Sequence, residues 1–68
     1  MTLDMKKLGQ RVQRTRQARG WSQGKLASAA RISRGYLARV ETGRHEPSLT
    51  MLDKLAKALK VRMTDLLQ

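Results

Sequence analysis

Apolar residues recur along this chain at intervals of three and four, and a convincing alternation of period two appears nowhere. The pattern predicts helices throughout. A first helix is expected from about Asp4 to Arg19, with Met5, Leu8, Val12 and Thr15 on its inner stripe and Gly20 ending it, because glycine takes a left-handed conformation cheaply. Ser22 offers a cap for a second helix from Gln23 to about Ala29, whose Leu26 and Ala27, with Ala30 just beyond, are slim enough to let another helix cross closely. Ser33 repeats the cap signal for a third helix running to about Thr42, where Gly43 stops it. After the polar loop Arg44-His45-Glu46-Pro47, Ser48 caps a fourth helix with Leu49, Leu52, Leu55, Ala56 and Leu59 as its apolar stripe. Val61 and Met63 lead into a short helix over about 62–68 that carries Leu66 and Leu67. The expected fold class is all-α, a compact five-helix bundle forming one domain over 1–68.

Charge changes the picture more than composition does. Fifteen Lys and Arg against five Asp and Glu leave a formal net charge of +10 on 68 residues, which points to a polyanionic partner, nucleic acid being the commonest. Trp21 and Tyr36 are the only aromatic residues, too few for a single-strand binder that stacks successive bases on rings. Cysteine is absent, so disulfides, thiolate zinc sites and a thiol nucleophile are excluded. No run approaches the roughly 20 apolar residues that span a bilayer, and the start, Met1 to Lys7, lacks the apolar stretch of a secretory signal. Asp4, Glu41, Glu46, Asp53 and Asp65 lie at unrelated spacings, and His45 has no partners for a metal site or a catalytic base. The expectation is therefore no enzyme, no metal and no cofactor, and a cytoplasmic protein with no membrane partner.

The second and third helices are joined only by Ala30, Arg31, Ile32 and Ser33, and a connection that tight forces a steep crossing, as in a helix-turn-helix. The second helix of such a pair fits a major groove about 12 Å wide. At about 100° per residue, Tyr36, Leu37 and Val40 fall on one side of it, expected to pack on Leu26 and Ala27, and Arg34, Gly35, Ala38 and Arg39 fall on the other. Two arginines flanking two tiny residues are what a groove-reading helix needs.

Trp21-Ser22-Gln23, Leu26-Ala27, Ala30, Ile32-Ser33, Tyr36-Leu37, Val40-Glu41-Thr42-Gly43 and Pro47-Ser48-Leu49 resemble, in type and spacing, the phage-repressor/Cro type of helix-turn-helix regulator, the xenobiotic-response-element family. The resemblance covers about Leu8 to Leu66, with the motif itself at about 22–42, and implies a lambda-repressor-like DNA-binding domain. It implies that Ser33, Arg34, Gly35 and Arg39 read base edges and that Gln23 contacts a phosphate from a helix N-terminus. Ser22, Tyr36, Thr42, Arg44 and His45 complete the expected phosphate contacts, and Arg16 and Glu41 match a structural pair joining the first helix to the end of the third. The sequence departs from the family pattern where Lys25 stands for a common Glu, Arg31 for the turn glycine and Thr15 for a common leucine, and where Gly35 offers no side chain to a base.

Arg34 is the preferred base reader, since arginine can grip guanine O6 and N7 with two hydrogen bonds; Arg39 suits a base or a phosphate alike. Gly35 fits close approach to DNA and a neutral substitution equally. Trp21 reads as a plug between helices, and Lys54, Lys57 and Lys60 as a solvated face with Asp53 pairing to Lys57. RNA fits less well, because an A-form major groove is too narrow for a helix. The partner implied is double-stranded DNA with a palindromic operator, read by a homodimer whose contact uses Met63 and Leu67, nucleoid-associated when bound. The function expected is a sequence-specific transcriptional regulator, a repressor or small autoregulator. The rival is an antitoxin-type regulator that also neutralises a protein partner.

Overall fold

The structure, a computed structural model, describes residues 4–68. Met1, Thr2 and Leu3, part of the segment read for a secretory signal, lie outside the described residues. Asp4 starts the first helix, α1 (Met5–Ala18), by accepting from the backbone N–H groups of Lys6 at 3.0 Å and Lys7 at 3.1 Å. Serine hydroxyls start the next three. Ser22 accepts from Lys25 N–H at 3.0 Å to open α2 (Gln23–Ala30), and Ser33 from Tyr36 N–H at 3.0 Å to open α3 (Arg34–Glu41). Ser48 accepts from Met51 N–H at 3.2 Å to open α4 (Leu49–Leu59). At α5 (Met63–Leu67) the Asp65 carboxylate reaches back to the Arg62 N–H at 3.0 Å. Each device satisfies an amide that the first turn leaves without a helical partner.

The four longer helices end alike. The residue that follows the last turn is left-handed, and the next amide turns back to a carbonyl five residues earlier, which closes the last turn. Gly20 (φ 71°) and Gly43 (φ 75°) do this at no steric cost, with Trp21 N–H on the Arg16 carbonyl and Arg44 N–H on the Arg39 carbonyl. Arg31 and Lys60, each at φ 58°, do the same without being glycine, with Ile32 N–H on the Ala27 carbonyl and Val61 N–H on the Ala56 carbonyl. The turn that lacks the family's glycine thus keeps the left-handed conformation and carries its strain.

Leu8, Val12, Leu26, Leu37, Val40, Leu52, Leu55, Leu59 and Leu66 are buried, with Ala27, Ala30 and Ala56 thinning the crossings between them. At about 1.5–3 kcal/mol per large apolar side chain, these residues supply most of the drive to fold. Helix α1 packs on α3, α4 and α5; α2 packs on α3 and α4, and α5 closes on α4. Trp21, Ile32, Val61 and Met63 pack half-buried against the margin.

Three expected core positions are elsewhere. Met5 is 37% exposed and Leu49 70% exposed. Each is the first residue of its helix, and because the Cα–Cβ bond tilts toward the helix N-terminus, a first-turn side chain points past the end of the element. Pro47, in the loop before α4, is buried. Thr15 is only half-buried and returns its hydroxyl to the Arg11 carbonyl at 2.7 Å; buried Gly9 and Arg16 complete the inner stripe instead.

Candidate nucleic-acid interface

What fixes α3 is a buried polar knot at its C-terminal end. Arg16 of α1 donates from Nε to Glu41 Oε2 at 2.8 Å and from Nη2 to Oε1 at 3.0 Å, and its Nη1 donates to the Trp21 carbonyl at 2.7 Å. Gln23, opening α2, donates its amide to Glu41 Oε1 at 3.0 Å. Arg16 is 7% exposed and Glu41 5%, so both charges are desolvated, and only the two-point geometry and the extra acceptor make the arrangement tolerable. No buried side-chain N or O among the described residues lacks a partner. Arg16 and Glu41 are thus brought together, and Gln23 joins them.

Gly9 was not singled out in the sequence. A Cβ there would sit against the carbonyl oxygen of Val40 and 2.6 Å from that of Glu41. Helix α1 thus touches the α3 backbone itself, beside the knot. The end of α3 is held on one side by this contact and on another by Gln23, which sets the angle at which its N-terminal half leaves the core.

One face of α3 is exposed. Leu37, Val40 and Glu41 are buried, and Ser33, Arg34, Gly35 and Arg39 face solvent. The Arg39 Nη1 atom lies 3.7 Å from where a Gly35 Cβ would be, so the guanidinium lies along a helix face that has no side chain to hinder it. Tyr36, expected on the apolar side, is only half-buried, and its ring packs edge-on against His45 with centroids 5.0 Å apart. This contact places the His45 loop residue beside the first turn of α3. Burial pushes the Tyr36 hydroxyl pKa up while the Arg39 cation opposes the shift, so the phenol stays a neutral donor at neutral pH. Ala38 is also half-buried rather than fully presented.

Of the expected phosphate contacts, Ser22 and Gln23 lie at the start of α2, Tyr36 in the first turn of α3, and Thr42, Arg44 and His45 after its end; Ser33, expected to read a base, opens α3. Ser22 and Ser33 spend only an acceptor lone pair on their caps, which leaves each exposed O–H free to donate. Arg44 and His45 are exposed beyond the α3 end, and Thr42 is exposed but already donates its hydroxyl to the Ala38 carbonyl at 2.9 Å. Trp21 is held between Arg19 and Lys25, whose cationic groups lie 5.1 and 5.7 Å from its ring centroid. Lys57 pairs with Asp53 at 3.0 Å on the exposed side of α4. At the other end of the molecule Leu67 is 40% exposed, while Met63 is half-buried against the core rather than presented for a contact. No helix of the described residues is long and apolar enough to cross a membrane.

Comparison with known proteins places this geometry. Residues 12–66 match the family model described as helix-turn-helix. The chain is 40% identical over 57 residues to the immunity repressor protein of Bacillus phage phi105, covering 84% of this chain and 40% of that protein. It is 42% identical over 62 residues to the HTH-type transcriptional regulator DdrOP3 of Deinococcus deserti, covering 91% and 48%. The restriction-modification controller protein C.AhdI from Aeromonas hydrophila superposes with a TM-score of 0.91 at 38% identity, covering 96% of this chain and 98% of that one. The chain spans less than half the length of the two regulators it matches by sequence.

Proposed function

The chain belongs to the helix-turn-helix family, and from that premise we propose that it binds double-stranded DNA sequence-specifically through α3 and regulates transcription, as a repressor or small autoregulator. The observation that carries the reading is the contrast along α3. Its C-terminal end is locked by the Arg16–Glu41–Gln23 knot, and its outward face presents Arg34 and Gly35 in the first turn and Arg39 in the last to solvent, with no carboxylate paired to either arginine among the described residues. A rigid base and an unneutralised tip suit a helix that enters a groove. Arg34 grips a guanine edge, Arg39 reaches a base or a phosphate from over Gly35, and Ser33 hydrogen-bonds beside them. Ser22, Gln23, Tyr36, Arg44 and His45 set the register on the phosphates, with the α2 N-terminus favouring the anion; Thr42 joins them by giving up its bond to the Ala38 carbonyl. Occupancy of the operator is the mechanism. That a phage immunity repressor and an HTH-type transcriptional regulator are among its relatives supports this assignment.

One recognition helix reads only a few base pairs, so two copies related by a two-fold axis would read a palindrome with half-sites about 10 base pairs apart. Leu67, 40% exposed on α5, supports a contact there. Such a protein works where the genome is, in the cytoplasm, and is nucleoid-associated when bound. The test is selection of bound duplexes from a random pool. A palindromic consensus with guanines in each half-site is expected, and a pool that stays random after repeated rounds overturns the reading.

A further inference from the structure

The face of α1 turned away from α3 is as basic as the recognition face. At about 100° per residue, Lys7, Arg11 and Arg14 fall within about 60° of one another, and the inward pair Gly9 and Arg16, which meet α3, fall on the opposite side. All three cations are exposed. Among the described residues no carboxylate neutralises them. Asp4 is spent on the amides of Lys6 and Lys7, Asp53 on Lys57 and Asp65 on Arg62, Glu41 is buried, and the exposed Glu46 forms no ion pair with any of the three. Like charges at these spacings destabilise a helix, so α1 carries them at a cost to its own stability. Together with Gln10 and Gln68 they line one shallow cleft, and Arg11 Nη2 donates to the Gln68 main-chain oxygen at 2.9 Å.

We propose that Lys7, Arg11 and Arg14 form a second, sequence-independent site for the phosphate backbone of duplex DNA, so that one copy of the chain holds two duplexes on opposite faces. The proposal rests on the α3 reading for the first duplex. The three side chains are spread over about 10 Å of helix axis, from a rise of 1.5 Å per residue, which is about three base-pair steps of a duplex strand. A membrane surface fits less well, since the stripe and Gln10 between its members offer no apolar group to insert. A single strand fits less well too, since neither aromatic residue of the chain lies on it.

The experiment loads the protein onto a bead-tethered duplex carrying its selected sequence and then adds a labelled duplex lacking that sequence. Wild type is expected to capture the labelled duplex. A Lys7→Gln, Arg11→Gln, Arg14→Gln variant is expected to load as well but to capture less than a tenth as much, with its helicity unchanged. Three phosphate contacts make capture weaken by about 40-fold between 50 and 200 mM salt, from a slope of about −0.9 per contact. Capture undiminished in the triple variant, or none by wild type, overturns the proposal. Capture lost in Leu67→Glu but kept in the triple variant also overturns it, since the two α3 helices of a dimer would then be the bridge. If wild type does not load at all, the α3 reading has failed, and free duplex titrated against Arg34→Ala, Arg39→Ala reads the α1 face alone. Salt-dependent binding there that the three glutamines abolish supports the site, and none overturns it, including the case in which anionic phosphatidylserine vesicles bind instead.

Discussion

Replacing Glu41 with alanine removes the acceptor on which three donors converge. Arg16 loses the partners of Nε and Nη2 and keeps only the Trp21 carbonyl, and Gln23 loses its contact. Water cannot substitute easily, because the Arg16 and Glu41 side chains are 9% and 1% exposed. Breaking a buried pair by removing one partner costs about 3–5 kcal/mol, most of it the uncompensated charge left behind. A domain of this size is worth roughly 3–10 kcal/mol in all, at about 0.05–0.15 kcal/mol per residue. Glu41→Ala should therefore sit near the folding threshold, with a melting temperature lowered by at least about 12 °C at about 4 °C or more per kcal/mol. Urea unfolding followed by far-UV circular dichroism measures the loss. Arg16→Met with Glu41→Leu is expected to recover most of it, because well-packed apolar residues commonly replace such pairs without penalty. A loss below about 1 kcal/mol, the value of an exposed pair, would refute the claim that the knot is buried and holds α3.

Gly9→Ala sets two effects against each other. Helix propensity alone promises a gain of about 1 kcal/mol, but the new Cβ would meet the Glu41 carbonyl oxygen at 2.6 Å, and such overpacking costs about 1–3 kcal/mol; net destabilisation in urea is expected, and a more stable variant contradicts the close approach. Arg31→Gly relieves a left-handed arginine at φ 58° worth about 1–2 kcal/mol, so the melting temperature should rise by several degrees, and an unchanged value would mean the turn stores no strain. Leu67→Glu should move sedimentation toward monomer and weaken operator binding while leaving helicity intact; a wild type already monomeric at high micromolar concentration rules out this contact.

Helix order, caps and stops were legible because they depend on neighbours in sequence. Ser22, Ser33 and Ser48 each cap the amide three residues on, and Gly20 and Gly43 each end a helix left-handed, as their positions in the pattern imply. Two of the three misplaced core positions depend on where a helix ends in space, and the third, Thr15, is a polar residue that turns its hydroxyl back to the Arg11 carbonyl. Met5 and Leu49 have the right angular phase but belong to first turns that project beyond the core. Gly9 carries no local signal, since a glycine inside a helical pattern does not say whose backbone it admits. Arg16 as a core residue came only from resemblance to a family, because burial of an arginine follows from a carboxylate 25 residues away. Phase alone separated buried Leu37 and Val40 from exposed Arg34, Gly35 and Arg39, but not half-buried Tyr36 and Ala38, whose surroundings include residues outside the helix such as His45.

The central claim is that the exposed tip of α3 reads bases. Affinity of Arg34→Ala, measured beside wild type on the selected duplex and on a scrambled one, tests it most directly. A loss of about 1–3 kcal/mol on the selected duplex, roughly 5- to 150-fold, is expected, with a much smaller loss on the scrambled one. Equal weakening on both would make Arg34 a phosphate contact and contradict the claim.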